Sequence, residues 1–213
     1  MLTDWNFWFS VITAVVAVIA LMQTKQQIKL SNKQYLFDKR VEHYLIAKGL
    51  IQLYESNKTL LTVRDDEPAF AMDFIFAQMT NNTYLEKITD VIAHPLENPY
   101  HKDFLIEMEI MKDVSAKIKF MFGGKIASFL GNYVLCYQEL LFKMYQYQIL
   151  LNKMQKSAQD FNLTLDKAQE AVGEKQQREE LQKAMEDLKQ AYDILKKEDV
   201  EEKIEKQIKV LNS

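Results

Sequence analysis

Residues 4–25 read DWNFWFSVITAVVAVIALMQTK, and the reading of this run decides the reading of the whole chain. From Trp5 to Met22 eighteen residues pass without a charged side chain. As an α-helix they cover ~27 Å, close to the ~30 Å hydrocarbon core of a bilayer, and Gln23 and Thr24 extend them. Trp5 and Trp8 stand at one end, where indole rings favour the headgroup interface. A cleaved secretory leader would want basic residues before the apolar run and a small-residue cleavage region after it. Here Asp4 is the charged residue that precedes the run, and Leu21-Met22 carries it past the weak site Val18-Ile19-Ala20. The expectation is an uncleaved transmembrane anchor over residues 1–24.

The flanks orient it. Lys25, Lys29, Lys33, Lys39 and Arg40 follow the run, against Asp38 alone. The positive-inside rule then places the N-terminus outside and residues 25–213 in the cytoplasm, as a single-pass protein of the cell membrane. Lys25 and Lys29 are expected to reach lipid headgroups. In an upright helix Lys33 already lies ~15 Å beyond Met22, past the ~8 Å screening length of physiological salt. Within the run, Ser10, Ala14, Ala17 and Leu21 share one face, and the Thr13/Ala17 pair overlaps it. Ser10-xxx-Ala14 and Thr13-xxx-Ala17 permit close helix approach, so Ser10, Thr13, Ala14 and Ala17 are the candidate positions for self-association. Nothing more polar than Ser10 and Thr13 lies in the interior of the run, which argues against a conducting pore.

Composition fixes the fold class. Among 213 residues there are 5 glycines and 3 prolines, and 48% are apolar. The second half is dominated by Lys, Glu, Gln, Leu and Ala, a mixture that favours helix and leaves little turn chemistry for sheets. The chain therefore reads as all-α. A net charge of −3, with no basic patch outside the juxtamembrane run, argues against nucleic acid as a partner. Cys136 is the one cysteine, so no intrachain disulfide forms, in keeping with a reducing compartment.

Beyond the anchor, residues 25–58 read as a stalk helix continuous with it. Leu30, Phe37, Tyr44 and Ile51 recur every seven residues, and 44–54, YLIAKGLIQLY, is apolar nearly all round, which predicts burial. Residues 59–160 read as the core of a helical bundle. Asp65 or Asp66 with Pro68 predicts a helix start, and Thr83-Tyr-Leu-Glu86 a capping box. Asn98-Pro99 opens a helix that runs to Gly123-Gly124. Residues 125–158 form the most apolar later segment, but Glu139 and Lys143 fall in its middle. Each charge at a bilayer centre costs ~2.5–3.5 kcal/mol, so this is expected to be a central bundle helix with a surface Glu139–Lys143 pair. Its tyrosines, Tyr133, Tyr137, Tyr145 and Tyr147, are expected to pack their rings and send hydroxyls to the rim.

Residues 161–213 turn highly charged and read as a helical hairpin or short coiled coil, with Asn162 or Thr164 as a cap. Leu181, Met185, Leu188, Tyr192 and Leu195 alternate steps of four and three, a seam of about two heptads. Packing back on the bundle and pairing with another chain both satisfy it. A last helix begins at Asp199, with acids first and lysines after, and the other charges of this region read as a solvated face.

Catalytic chemistry finds little. In HPLENPYH, residues 94–101, His94, Glu97 and His101 offer two imidazoles and a carboxylate. The histidines are seven apart with two prolines between them, rather than four apart on one helical turn, and the stretch reads first as a tight connector. Cys136 sits in an apolar helix, and no GxSxG, phosphate-binding or dinucleotide motif occurs. No metal or other cofactor is expected.

The succession SNKQYLFDKRVEHY (31–44), TNNTYLEKI (80–88), HPLENPYHKDFL (94–105) and VLCYQELLFKMYQYQILLNKM (134–154) resembles uncharacterised, N-terminally anchored helical proteins of Gram-positive bacteria. That resemblance implies an anchor plus cytoplasmic helices and brings no activity with it. The expected role is non-enzymatic: a membrane-tethered interaction or scaffold protein, self-associating, with the bilayer and an unidentified protein as its partners. The alternative is a membrane-acting effector or toxin, as in anti-phage defence, that oligomerises and perturbs the bilayer.

Overall fold

The helix that begins in the apolar run does not stop where the run stops. In the computed structural model, which describes residues 2–209 and their side chains from Trp5 onward, α1 extends without interruption over Leu2–Asn57. Met1 and residues 210–213, the tips of the first and last expected segments, lie outside the described residues. At ~1.5 Å per residue α1 is ~84 Å long, far more than a bilayer needs. No proline falls within it, and its single glycine, Gly49, lies near the far end.

The environment of α1 changes at Phe37. Residues 5–36 are exposed throughout, whereas Tyr44, Ala47, Leu50, Ile51 and Tyr54 are buried. The expected burial of 44–54 is thus one-sided: Leu45 and Gln52 stay exposed, because the rest of the chain packs on a single flank of the helix.

After a 3-10 turn at Lys58–Leu60 the chain crosses a loop to α2 (Met72–Met79). This helix starts four residues later than Asp66-Pro68 suggested. Ala71 occupies the cap position without a side-chain hydrogen bond, while Arg64 draws Asp66 into an ion pair in the loop. Met72, Phe76 and Met79 of α2 are fully buried. The capping box at Thr83–Glu86 does not form either. Asn82 closes a turn there instead: its Oδ1 accepts the Tyr84 and Leu85 N–H groups, and the segment Glu86–Ile92 that follows winds as a 3-10 helix. An Asn side chain reaching its own backbone two and three residues on is a local competitor of the Ser/Thr cap.

α3 (Tyr100–Met121) begins one residue after Pro99. It turns through Gly123 and Gly124 into α4 (Gly124–Phe161), whose 38 residues form the axis of the body. α5 (Leu165–Val172), α6 (Glu174–Lys197) and α7 (Val200–Lys209) complete the chain. Every other α-helix touches α4, with α3 and α6 lying along most of its length. This position accounts for the apolar character of α4, since Leu130, Tyr133, Val134, Tyr137, Leu140, Leu141 and Met144 are fully buried. Among the described residues all regular structure is helical.

At Gly131 α3 and α4 lie close together. A Cβ there would stand 2.6 Å from Lys119 Cγ and 3.0 Å from the Ser115 carbonyl oxygen. The Ser115 hydroxyl donates to the Gly131 carbonyl at 2.7 Å. Glycine is favoured here by space, not by dihedral freedom.

Candidate functional site

The feature of this molecule that asks for a partner is the outer half of α1. Twelve large apolar side chains between Trp5 and Met22 are exposed, on every side of the helix, Trp5 by 67% and Leu21 by 71%. Covering one such side chain is worth ~1.5–3 kcal/mol, so the set amounts to at least ~18 kcal/mol, more than the whole folding stability of a typical domain. This is the one helix among the described residues long and apolar enough to cross a membrane.

Its polar atoms are compatible with a dry environment. The Ser10 hydroxyl donates to the Asn6 carbonyl at 2.9 Å and the Thr13 hydroxyl to the Phe9 carbonyl at 2.8 Å. The Thr24 hydroxyl donates to the Ala20 carbonyl at 2.8 Å, at the polar end of the run. Hydrogen bonds closed within the helix remove the penalty of burying these groups in hydrocarbon. Ser10 and Thr13 thus leave small side chains on the helix surface with their protons already engaged. Ala14 and Ala17 lie on the same flank. Trp5 and Trp8 stand at one end of the run and the exposed Lys25 and Lys29 beyond the other.

The inner half of α1 is clamped. Glu205 of α7 accepts hydrogen bonds from the Tyr44 hydroxyl (2.8 Å) and the Lys48 ammonium (2.9 Å). Both lower the Glu205 carboxyl pKa. Glu55 accepts from the Tyr192 hydroxyl (2.8 Å) and pairs with Lys196 (2.7 Å), which holds its carboxyl below the usual range. The Tyr133 hydroxyl donates to the Leu50 carbonyl at 3.1 Å. Just outside the clamp Arg40 lies over the Phe122 ring, 5.6 Å from its centroid. His43 is buried with no partner for Nδ1, and desolvation lowers its pKa.

His94, Glu97 and His101 are drawn in different directions. His94 Nδ1 lies 3.4 Å from Glu97, and its ring stacks on Tyr100 at 4.8 Å. His101 Nδ1 and the Tyr145 hydroxyl are hydrogen-bonded across 2.7 Å, and that hydroxyl also accepts the Leu96 N–H. Among the described residues no three His, Cys, Asp or Glu side chains assemble as a metal-ligand set. The stretch acts as a connector pinned to α4 by Tyr145. Burial raises the pKa of the half-buried Cys136 thiol, which keeps it protonated near neutral pH.

Three sequence expectations need correction here. The tyrosine hydroxyls of α4 do not run to the rim. Tyr133 and Tyr137 are fully buried, and Tyr137 donates to the Met79 carbonyl at 2.7 Å, tying α4 to the end of α2. Lys143 does not pair with Glu139. It reaches across to Glu180 of α6 at 2.8 Å, because Glu139 faces solvent while α6 covers the Lys143 flank. The charges of 161–213 are not all solvated: Glu174 is fully buried and Arg178 is 5% exposed. Glu174 Oε1 accepts from the Tyr147 hydroxyl at 2.5 Å and lies 3.3 Å from Arg178 Nε. Arg178 Nη1 in turn donates to the Arg64 carbonyl. This node joins α4, α6 and the loop before α2. In sequence it was an ordinary i, i+4 acid–base pair, and nothing in the local pattern distinguished it.

Leu181, Met185, Leu188 and Leu195 are buried and Tyr192 is half-buried, along the flank of α6 that faces the body. No protein-family model, curated protein or solved structure matches this chain.

Proposed function

We propose that the chain is a membrane-tethered interaction protein: Trp5–Met22 spans the bilayer with the N-terminus outside, and the packed body is held in the cytoplasm on the stalk of α1, as a self-associating scaffold. The observation that supports this reading most is the uncovered apolar helix, rooted by the Tyr44, Lys48 and Glu55 contacts in a body whose own apolar residues are largely buried. A body so anchored gives the first helix a fixed base. The basic residues Lys25, Lys29 and Lys33 follow the apolar run directly, as the inner side of a membrane span requires.

The test replaces Trp5–Met22 by an unrelated single span and follows both location and partners in cells. The swapped chain is expected to stay in the carbonate-resistant membrane fraction and to keep the proteins crosslinked to the wild-type body. Retention of location with loss of a membrane-depolarising activity would instead make the span itself the effector. A native chain that appears in the soluble fraction refutes the tether.

A further inference from the structure

We infer that α1 carries a docking seam for a second copy of this chain, parallel and in register, that runs unbroken from the apolar segment through the stalk to Tyr35. The inference rests on the reading of Trp5–Met22 as a membrane span and deepens the self-association proposed above.

Starting from Ala14, every seventh residue is Leu21, Ile28 and Tyr35. Three residues after each of the first three come Ala17, Thr24 and Ser31. Steps of three and four give the 3.5-residue repeat of two helices that wind about each other, with large and small side chains alternating along the line of contact. No charge falls on the seam across these positions: Lys25 flanks it, and Lys29 and Lys33 lie farther round the helix. Its large members are bare: Leu21 is 71% exposed, Ile28 57% and Tyr35 66%. Ile28 and Tyr35 lie in a stretch rich in Lys, Gln, Asn and Ser, with Leu30 and Leu36 as its other exposed apolar side chains.

The stalk has a second apolar line, Leu30–Phe37–Tyr44, but that one leads into the body, where Phe37 is half-buried and Tyr44 buried. Tyr35 and Tyr44 are nine residues apart, ~2.5 helical turns, and so point to opposite sides of α1. The seam faces away from its own body, so a helix laid along it meets nothing of the chain it docks on.

The geometry points to an identical copy rather than another helix. Copies inserted in one membrane share direction and depth, so the parallel in-register pairing needs no further alignment. In that pairing Ala14 and Ala17 meet their counterparts where small residues permit close approach, and Ile28 and Tyr35 meet theirs in water, where apolar burial is favourable. Flanking positions avoid like charges: Lys39 faces Gln34 of the second copy, Asn32 faces Gln27, and Lys25 faces Ala20. The next seam position is Asp38, where two carboxylates would meet, so the pairing ends there as the two bodies begin to diverge.

Cysteine scanning tests this in membranes holding the full chain, in a Cys136→Ser background. Ile28→Cys, Ser31→Cys and Tyr35→Cys lie on the seam; Lys29→Cys and Lys33→Cys lie off it. On mild oxidation the seam positions are expected to give several-fold more disulfide-linked dimer than the others, since a bond needs Cβ atoms ~4 Å apart. Ile28→Glu combined with Tyr35→Cys is expected to abolish that dimer, and Lys29→Glu with Tyr35→Cys to leave it. Equal crosslinking at all five positions, or a maximum at Lys29 or Lys33, overturns the seam. If an amine crosslinker still gives dimers of the membrane-bound chain, self-association through the body survives that failure. Absence of the chain from the membrane fraction overturns the span, and the seam with it.

Discussion

Arg178→Met should destabilise this protein far more than its place in a charged helix suggests. Arg178 is 5% exposed, and its guanidinium lies 3.3 Å from a Glu174 carboxylate that is itself fully buried. Removing it leaves Glu174 with two donors, the Tyr147 hydroxyl at 2.5 Å and the Gln169 amide at 3.4 Å, and no counter-charge. Breaking one side of a buried pair costs ~3–5 kcal/mol, because the remaining charge is stranded out of water. Glu174→Gln keeps a Tyr147 hydrogen bond but strands Arg178, whose remaining protein contact is the Arg64 carbonyl at 3.3 Å. A loss of ~2–4 kcal/mol is expected there. Replacing both removes both charges together, so the double variant should be no worse than the milder single one. The coupling in the double-mutant cycle should exceed ~2 kcal/mol. Urea unfolding of the full chain in mild detergent micelles, followed by circular dichroism, measures all four proteins. Single variants within ~0.5 kcal/mol of wild type would refute the argument, since that is the range of ordinary surface substitutions. A double variant that lost the sum of the two singles would refute it as well, by showing that the charges do not act on each other.

Gly131→Ala should lower stability by ~1 kcal/mol, because the Lys119 side chain must swing aside and the Ser115 carbonyl give slightly to admit the added methyl; the same unfolding measurement reads it. His43 gives a pH dependence whose sign is fixed by its depressed pKa. Below the ordinary histidine value of ~6.5 the unfolded chain takes up a proton that the folded chain refuses, so this contribution is full above that pH and is lost as pH falls through it. Glu42, Lys39, Lys117 and Asp113 are the charged groups acting on this imidazole. The slope of unfolding free energy between pH 7 and pH 5 should flatten in His43→Gln, and an unchanged slope would assign the dependence elsewhere. Val15→Lys places a charge near the middle of the apolar run and should reduce membrane insertion by ~2.5–3.5 kcal/mol, read as glycosylation or protease protection of tagged termini.

Periodicity made the long elements legible and missed the short ones. The seven-residue recurrence of Phe37, Tyr44 and Ile51 located the buried flank of α1, and the Gly123-Gly124 pair located the α3–α4 turn, because both signals are dictated by backbone geometry. The starts of α2 and of the Glu86–Ile92 segment were misjudged, since Asp66 and Thr83 are good caps only if nothing competes for them. Arg64 and Asn82 do compete, through ion pairing and an Asn–backbone turn. Lys143, Glu174 and the α4 tyrosines were misread for one shared reason. Their partners, Glu180, Arg178, Met79 and Leu50, lie on other elements or gain meaning only when a third element covers them, as the 64–69 loop covers Arg178. For the candidate site the legible part was the apolar run and its flanks. Continuity of the run with the stalk was legible too; the exposure of Ile28 and Tyr35 was not, because it depends on which flank of α1 the body covers.

Continuity of α1 has mechanical consequences if Trp5–Met22 is held in a bilayer. From Met22 to Phe37, where contact with the body begins, the helix advances ~22 Å. That stand-off is more than two screening lengths at physiological salt, so the body and an anionic lipid surface are largely screened from one another. The acidic residues of α6 and α7 are therefore no obstacle to a membrane location, and lysines beyond Lys29 contribute nothing to holding it. A flexible linker of the same number of residues would leave the orientation of the body free. A helix clamped at Tyr44, Lys48 and Glu55 does not. Rotation of the span about its axis becomes rotation of the body, and two spans paired in register would present two bodies at one height, facing outward in opposite directions. A scaffold built this way fixes the spacing and direction of whatever binds the body through the packing of its membrane helices, with no contact between the bodies themselves.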